Sequence, residues 1–221
     1  MAALGVLLTL VAPYFQHAFA GRRQEILNRQ LLGAALEGDQ PAVLRLLSAG
    51  AEVNGCNERF NTALYYAVRT RNLSLVNVLL ESGANPNQQV RGEPELSMGD
   101  EVRAPLSYAV QKNDLAIARR LLEAGADPNS SHVLFDCVER GQEPMLELLL
   151  QHGGSVNAVG HADPPPPSSS KYTGPPRPLL QAALESELPP ARKSRILRIM
   201  QRHGADLTSR AFPPNAAPAP M

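Results

Sequence analysis

The chain has 221 residues, 43% of them hydrophobic, with 21 Lys plus Arg balanced by 21 Asp plus Glu. That length and apolar content suffice to bury an elongated core as one domain, while zero formal net charge argues against bulk attraction to nucleic acid or an acidic membrane. Trp is absent and aromatics make up 5%, a composition suited to close stacking of small-residue helices rather than to a core built on large rings.

The first segment, residues 1–30, opens with an apolar run in Met1–Ala20 that closes on Ala18-Phe19-Ala20. Such an ending is compatible with signal-peptide cleavage, yet the first basic residue is Arg22, so no positively charged stretch precedes the run. The uninterrupted apolar part is too short to span a bilayer. An apolar helix that caps the downstream fold, and a cleaved signal peptide, both remain open.

From Leu31 onward one interval governs the chain. Leu31 to Gly50, Leu64 to Gly83, Leu106 to Gly125 and Leu134 to Gly153 each span nineteen residues. Between these anchors each copy repeats a small-residue segment, a polar break, and an apolar run closing on Leu-Leu-x-x-Gly. A period of this size predicts stacked supersecondary units, which bury their apolar faces only against one another. The units are 31–54, 57–87, 104–129 and 131–157.

Within each unit the signals predict two short helices. Thr62 is a good N-cap for the first, and Pro105 suits a first helical position, where the missing N–H costs nothing. Gly38, Arg71, Asn113 and Gly141 lie twelve residues before the terminal glycines and mark the break. Val76, Leu79 and Leu80 show helical spacing in the second helix, and the terminal glycines sit where a left-handed residue closes it. Ala34, Ala67, Ala109 and Cys137 share one position in the first helix, where a small side chain lets neighbours approach.

A fifth, distorted unit occupies 177–207. Pro178-Leu179-Leu180-Gln181-Ala182-Ala183 restarts the pattern and His203-Gly204-Ala205-Asp206 ends it. Six surplus residues fall around Leu188-Pro189-Pro190, between the helices, and Gln201 replaces the second leucine. This unit reads as a C-terminal cap, where an atypical polar outer face is expected. Connecting loops absorb the uneven unit spacing: insertions cover 88–103 and 158–176, the latter carrying Pro164–Pro167 and Ser168–Ser170, extended and polyproline-like in composition. The connection after Asn129 is short enough to imply a truncated hairpin. Residues 208–221 read as a disordered tail.

Thr62-Ala63-Leu64-Tyr65-Tyr66-Ala67 and Ala104-Pro105-Leu106-Ser107-Tyr108-Ala109, with endings of the form Leu-Leu-x-x-Gly-Ala followed by Asp/Asn-x-Asn, resemble the Thr-Pro-Leu-His-x-Ala step and the closing motif of the ankyrin repeat family. The resemblance covers about Leu31 to Leu207. It implies an all-α, helix-turn-helix repeat solenoid with loop or hairpin fingers, and a concave groove of fingers and first helices that holds another protein. By the family pattern the finger tip is Glu58, Arg59, Phe60 and Asn61, and the groove positions are Arg69, Thr70, Gln111, Lys112, Glu139 and Arg140. Phe60 departs from the glycine usual at its position. An apolar side chain at an exposed turn either packs on the 88–103 insertion or anchors a partner.

No assembled chemistry competes with that reading. His17, His132, His152, His161 and His203 do not cluster with cysteine at zinc spacing, and no phosphate-binding Gly-x-x-x-x-Gly-Lys loop or nucleophile elbow is present. The sequence therefore points to no catalytic residue, no metal and no cofactor. His152 and His203 precede helix-ending glycines, where the helix dipole favours them. Cys56 and Cys137 lie two units apart, beyond disulfide reach with helix pairs stacked at roughly 10 Å, so cysteine usage leans intracellular. Arg192, Lys193, Arg195, Arg198 and Arg202 make the last helix basic, as a solvated capping face or as a contact for an acidic partner or phosphate.

The function expected is non-catalytic protein binding by a monomeric intracellular adaptor or scaffold, with no nucleic acid and no membrane span. Two alternatives hang on the N-terminus. Leu-x-x-Val-Ala-Pro-Tyr-Phe in Met1–Ala20 faintly resembles the end of an F-box, which would make the chain a substrate-recognition subunit of a ubiquitin ligase. A cleaved signal peptide would make it a secreted effector.

Overall fold

The computed structural model describes residues 21–91, 103–130, 133–160 and 177–205. Helix α1 covers residues 21–37. It is followed by α2 (Gln40–Ser48), α3 (Ala63–Arg69), α4 (Leu73–Glu81), α5 (Pro105–Gln111), α6 (Leu115–Glu123), α7 (Val133–Arg140), α8 (Glu143–Gln151), α9 (Leu179–Glu185) and α10 (Pro190–Arg202). Before α9 a minimal antiparallel ribbon pairs β1 (Val159–Gly160) with β2 (Arg177–Pro178). The fold is an all-α solenoid.

Two helix layers run along it. First helices α3, α5, α7 and α9 pack in sequence, and second helices α2, α4, α6, α8 and α10 pack in sequence beside them. One continuous core joins the layers. Its widest members, Tyr65, Leu64, Leu106, Leu121, Met145 and Leu149, are fully buried, and Ala67, Ala109 and Cys137 are at most 1% exposed. The small shared position sits where neighbouring first helices meet, as the spacing predicts.

Local chemistry explains where each helix starts and stops. Thr62 Oγ1 accepts from Tyr65 N, and Pro105 opens α5. Helices α2, α4 and α6 carry caps of their own directly after the break: Asp39, Asn72 and Asp114 accept from the N–H groups of Ala42, Leu75 and Ile117. Each such cap satisfies an orphan donor of the first turn and is worth about 1 kcal/mol. The break residues Gly38, Arg71, Asn113 and Gly141 all have positive φ, between 52° and 76°. Gly204 ends α10 with φ 90°, like the four terminal glycines before it, which fixes the register of the fifth unit.

Two features differ from the sequence expectation. Helix α1 is continuous across residue 31, so the boundary drawn between 1–30 and 31–54 falls inside a helix. Its extension lies on the turn after α2: Gln24 Nε2 donates to Gly50 O at 3.0 Å and Asn28 Oδ1 accepts from Glu52 N at 2.9 Å. Second, the surplus of the fifth unit is mostly helix rather than loop, because Pro190 begins α10 and α10 has 13 residues against nine in α8. Pro at the first helical position starts a helix as readily as Pro inside one breaks it. Gln201 is exposed at the place where Leu47 and Leu80 are half-buried and Leu122 and Leu150 are buried, in keeping with a polar outer face on the terminal unit. The expected disordered tail, most of both insertions and Met1–Ala20 lie outside the described residues.

Candidate protein-binding face

The first finger is closed by an isolated bridge between Cys56 and Thr62 and organised by one side chain. Asn57 Oδ1 accepts from Arg59 N at 2.9 Å and from Asn61 N at 3.0 Å, while Asn57 Nδ2 donates to Tyr66 Oη at 3.2 Å. Backbone bonds Phe60 N to Asn57 O and Asn57 N to Asn61 O complete the turn. This geometry holds Phe60 at φ 60°. The left-handed region disfavours a side chain by about 1–2 kcal/mol, which is the physical reason glycine is usual there.

Of the expected tip residues, Glu58 and Phe60 are exposed, Arg59 is half-buried and Asn61 is buried. Asn61 is therefore part of the turn's frame rather than its surface, because its backbone closes the bridge to Asn57. The Phe60 ring is 51% exposed. The second finger, whose strands meet at the Val90–Arg103 bridge, touches it: Arg91 N donates to Arg59 O at 3.2 Å, and the Arg91 guanidinium lies 5.5 Å from the Phe60 ring centroid. The ring thus leans on the start of the insertion and still presents half its area outward.

The expected groove residues sit at equivalent places, where each first helix meets its break. Arg69, Gln111 and Glu139 are half-buried; Thr70, Lys112 and Arg140 are exposed. Thr70 Oγ1 bonds back to Tyr66 O, within its own helix. The same register adds two residues that the family pattern did not supply. Leu36 and Leu184 occupy the place of Arg69 in the first and fifth units and are 45% and 48% exposed. The row therefore runs Leu36, Arg69, Gln111, Glu139, Leu184: apolar at both ends and polar in the middle. Counting five residues on from Leu31 and Leu179, as Arg69 follows Leu64, would have found them.

Beside this row, Arg71 Nε donates to Asp114 Oδ2 at 2.9 Å, and Arg103 lies 4.0 Å from Asp136. The basic last helix is turned to the protein itself. Arg195 meets Glu143 at 2.9 Å, Arg202 and His203 approach Glu147 at 3.7 and 3.2 Å, and Lys193 Nζ donates to Leu184 O. Exposed pairs of this kind contribute about 0–1 kcal/mol each. They make α10 a cap tied to α8, in line with the solvated-face reading.

Cys56 and Cys137 are both free thiols, the first exposed and the second buried. Burial pushes the Cys137 thiol far above the ordinary range, the Asp136 charge adds to this, and Arg140 opposes it. A thiol so placed is a packing group and not a nucleophile. Among the described residues no group of three or more His, Cys, Asp or Glu is arranged to hold a metal ion, and no helix is long and apolar enough to cross a membrane.

Comparison with known proteins places this geometry. Residues 31–80 match the family model "Ankyrin repeats (many copies)" and residues 103–133 match the model "Ankyrin repeat". A 57-residue stretch is 49% identical to the human mitochondrial disaggregase; it is 26% of this chain and 8% of that much longer protein. The crystal structure of an ankyrin repeat domain from Acinetobacter baumannii superposes with a TM-score of 0.62 at 23% identity, covering 80% of this chain and 81% of the other. Ankyrin repeats are protein–protein interaction modules, and proteins built from them are typically non-catalytic. The chain therefore carries ankyrin repeats within residues 31–80 and 103–133, in a fold similar to that of an ankyrin repeat domain.

Proposed function

We propose that the chain is a non-catalytic adaptor or scaffold that holds another protein along the first-helix ends and the first finger, in the groove these form. The observation that carries the reading is Phe60: a half-exposed aromatic ring, kept on a left-handed backbone and flanked by Arg91. Aromatic and arginine side chains are the residues most often found as interface anchors. Strain at an exposed position is retained where it serves a purpose other than packing. Arg69, Gln111, Lys112, Glu139 and Arg140 supply the polar row beside it, and Leu36 and Leu184 its apolar ends. Two free thiols fit a reducing compartment, which supports an adaptor that works inside the cell, as a monomer.

The test is affinity capture with quantitative mass spectrometry, comparing the native chain with Phe60→Ala/Arg69→Ala and with Arg119→Ala. Arg119 is exposed on the second-helix layer. The double variant loses its specific partners by more than about 1 kcal/mol, roughly fivefold in affinity. The Arg119 control keeps them, and melting temperatures stay within experimental error. A double variant that melts lower and captures normally would assign Phe60 to the core and move the interface elsewhere.

A further inference from the structure

The sequence holds a single Asn-Gly pair, Asn54-Gly55, and it stands at the join between the first and second units. The equivalent asparagines Asn87, Asn129 and Asn157 are followed by Gln88, Ser130 and Ala158. Each half of the pair has its own structural cause. Asn54 serves the join: its Nδ2 donates to Gly83 O at 3.2 Å and its Oδ1 accepts from Asn85 N at 2.7 Å. Gly55 serves α1. It is buried, and a Cβ built on it would lie 2.8 Å from Asn28 Nδ2 and 3.0 Å from Glu52 O. Asn28 is itself held in place, because its Oδ1 accepts from Glu52 N and from Gln24 Nε2. Glycine is the residue that tolerates so close an approach.

The pair thus sets an exposed, thermolabile amide beside a backbone nitrogen that no side chain shields. Gly55 N attacks Asn54 Cγ and forms an N–Cγ bond. The Cγ–Nδ2 bond breaks, and Nδ2 leaves as ammonia with the proton from Gly55 N. The result is a five-membered succinimide, which water opens. Breaking the new N–Cγ bond leaves aspartate at position 54; breaking the bond from Gly55 N to the main-chain carbonyl carbon leaves isoaspartate.

The folded turn keeps both reacting groups off this path. Gly55 N donates to Glu52 O at 2.9 Å, and the bonds to Gly83 and Asn85 draw the Asn54 amide across to the second unit. Both restraints go when the first unit opens. Helix α2 buries one residue, Val43, against three in α4 and four in α6, so this unit opens more readily than the interior ones. Conversion then removes what closed it. A carboxylate has no N–H to give Gly83 O, and it stands at the C-terminal end of α4, where the helix dipole opposes negative charge. Isoaspartate also adds a methylene to the main chain, which displaces the carbonyl that accepts from Gln88 Nε2.

We infer that Asn54-Gly55 is a self-modification site: opening of the first unit lets the amide convert to aspartate or isoaspartate, and conversion leaves that unit uncoupled from the second. This goes beyond the proposed binding face and does not depend on it.

Peptide mapping by mass spectrometry during incubation at mildly alkaline pH tests it. The native chain is compared with the same chain in guanidinium and with Gln24→Ala/Asn28→Ala, which releases α1 from Gly50 and Glu52; circular dichroism checks that this variant is folded. Conversion at Asn54 is expected to be about tenfold or more slower in the native chain than in guanidinium, and about threefold or more faster in the folded variant than in the native chain. Hydrogen exchange is then read on the converted chain, separated by its added negative charge, and on Asn54→Asp. Amides of residues 21–48 are expected to exchange about fivefold or more faster than in the native chain, with residues 105–151 unchanged. Should the double variant not fold, the comparison with guanidinium and the exchange of the converted chain decide. Equal conversion in the native chain and in guanidinium overturns the inference, as does a folded variant that converts no faster than the native chain. A converted chain whose residues 21–48 exchange as before overturns it too.

Discussion

Phe60, Arg71 and Asn113 are the described non-glycine residues with positive φ, and they differ in what holds them. Asn tolerates the left-handed region best. Arg71 is anchored by Asp114 at 2.9 Å. Phe60 is held by the turn that Asn57 builds, and its ring meets Arg91, a contact worth about 0.5–1 kcal/mol at an exposed site, against backbone strain of about 1–2 kcal/mol. Phe60→Gly should therefore leave stability unchanged or raise it by up to about 1 kcal/mol, read from the denaturant midpoint, while capture of the partner falls. A clear loss of stability would mean that the ring is structural. Ser107 gives a second prediction at this scale. Its side chain is fully buried, and its Oγ has no hydrogen-bond partner among the described residues. Ser107→Ala removes an unmet hydroxyl and improves helix propensity, so the chain should gain about 1 kcal/mol in chemical denaturation. Destabilisation instead would show that the hydroxyl is satisfied by a buried water.

At the scale of elements, the asparagines that end the first three units tie each to the next. Asn54 Nδ2 donates to Gly83 O and its Oδ1 accepts from Asn85 N; Asn87 does the same with Gly125 and Asp127, and Asn129 with Gly153 and Ser155. Each amide thus satisfies the carbonyl of a helix-ending glycine and one N–H of the next turn. Gln24 and Asn28 on α1 meet Gly50 and Glu52 in the same way, so the α1 extension replaces the missing asparagine of a preceding unit. Asn87→Ala deletes two exposed hydrogen bonds and should lower stability by about 1–2 kcal/mol. Gln88→Ala, which removes a single 3.3 Å bond to Asn54 O, should cost less than about 0.5 kcal/mol. Thermal or urea unfolding of the two variants checks the difference, and equal losses would mean that the ladder carries no coupling between units.

Much of this architecture was legible in the sequence because its signals are local. Gly38, Arg71, Asn113 and Gly141 fall twelve residues before the terminal glycines, and all four adopt the positive φ that a tight break requires. Thr62 and Pro105 announce their helix starts in the same way. The asparagine ladder was visible only as a recurring letter, since its bonds join residues 24 to 40 positions apart. The continuity of α1 was hidden because the period begins at Leu31 and says nothing of helix before it. In the candidate site, Phe60 was legible as a departure from glycine. Asn61 was not recognised as buried, because its burial depends on the turn that Asn57 builds. Leu36 and Leu184 were passed over because they look like ordinary core leucines until the register shows them at the exposed end of their helices.

For the whole molecule, the stack is one core in two layers. Helix α10 closes its C-terminal end through its pairs with α8. Cap and proposed face are separable: Arg195 and Arg202 of α10 turn back to Glu143 and Glu147, whereas the face proposed for a partner is the row of Phe60, Arg69, Lys112 and Arg140. Site-specific photocrosslinking in cells tests that claim most directly, with a benzoylphenylalanine at position 60 and, in a separate chain, at position 119 on the second-helix layer. The predicted result is a discrete partner adduct from position 60 and none from position 119. Adducts from position 119 alone would contradict it and assign the interface to the second helices.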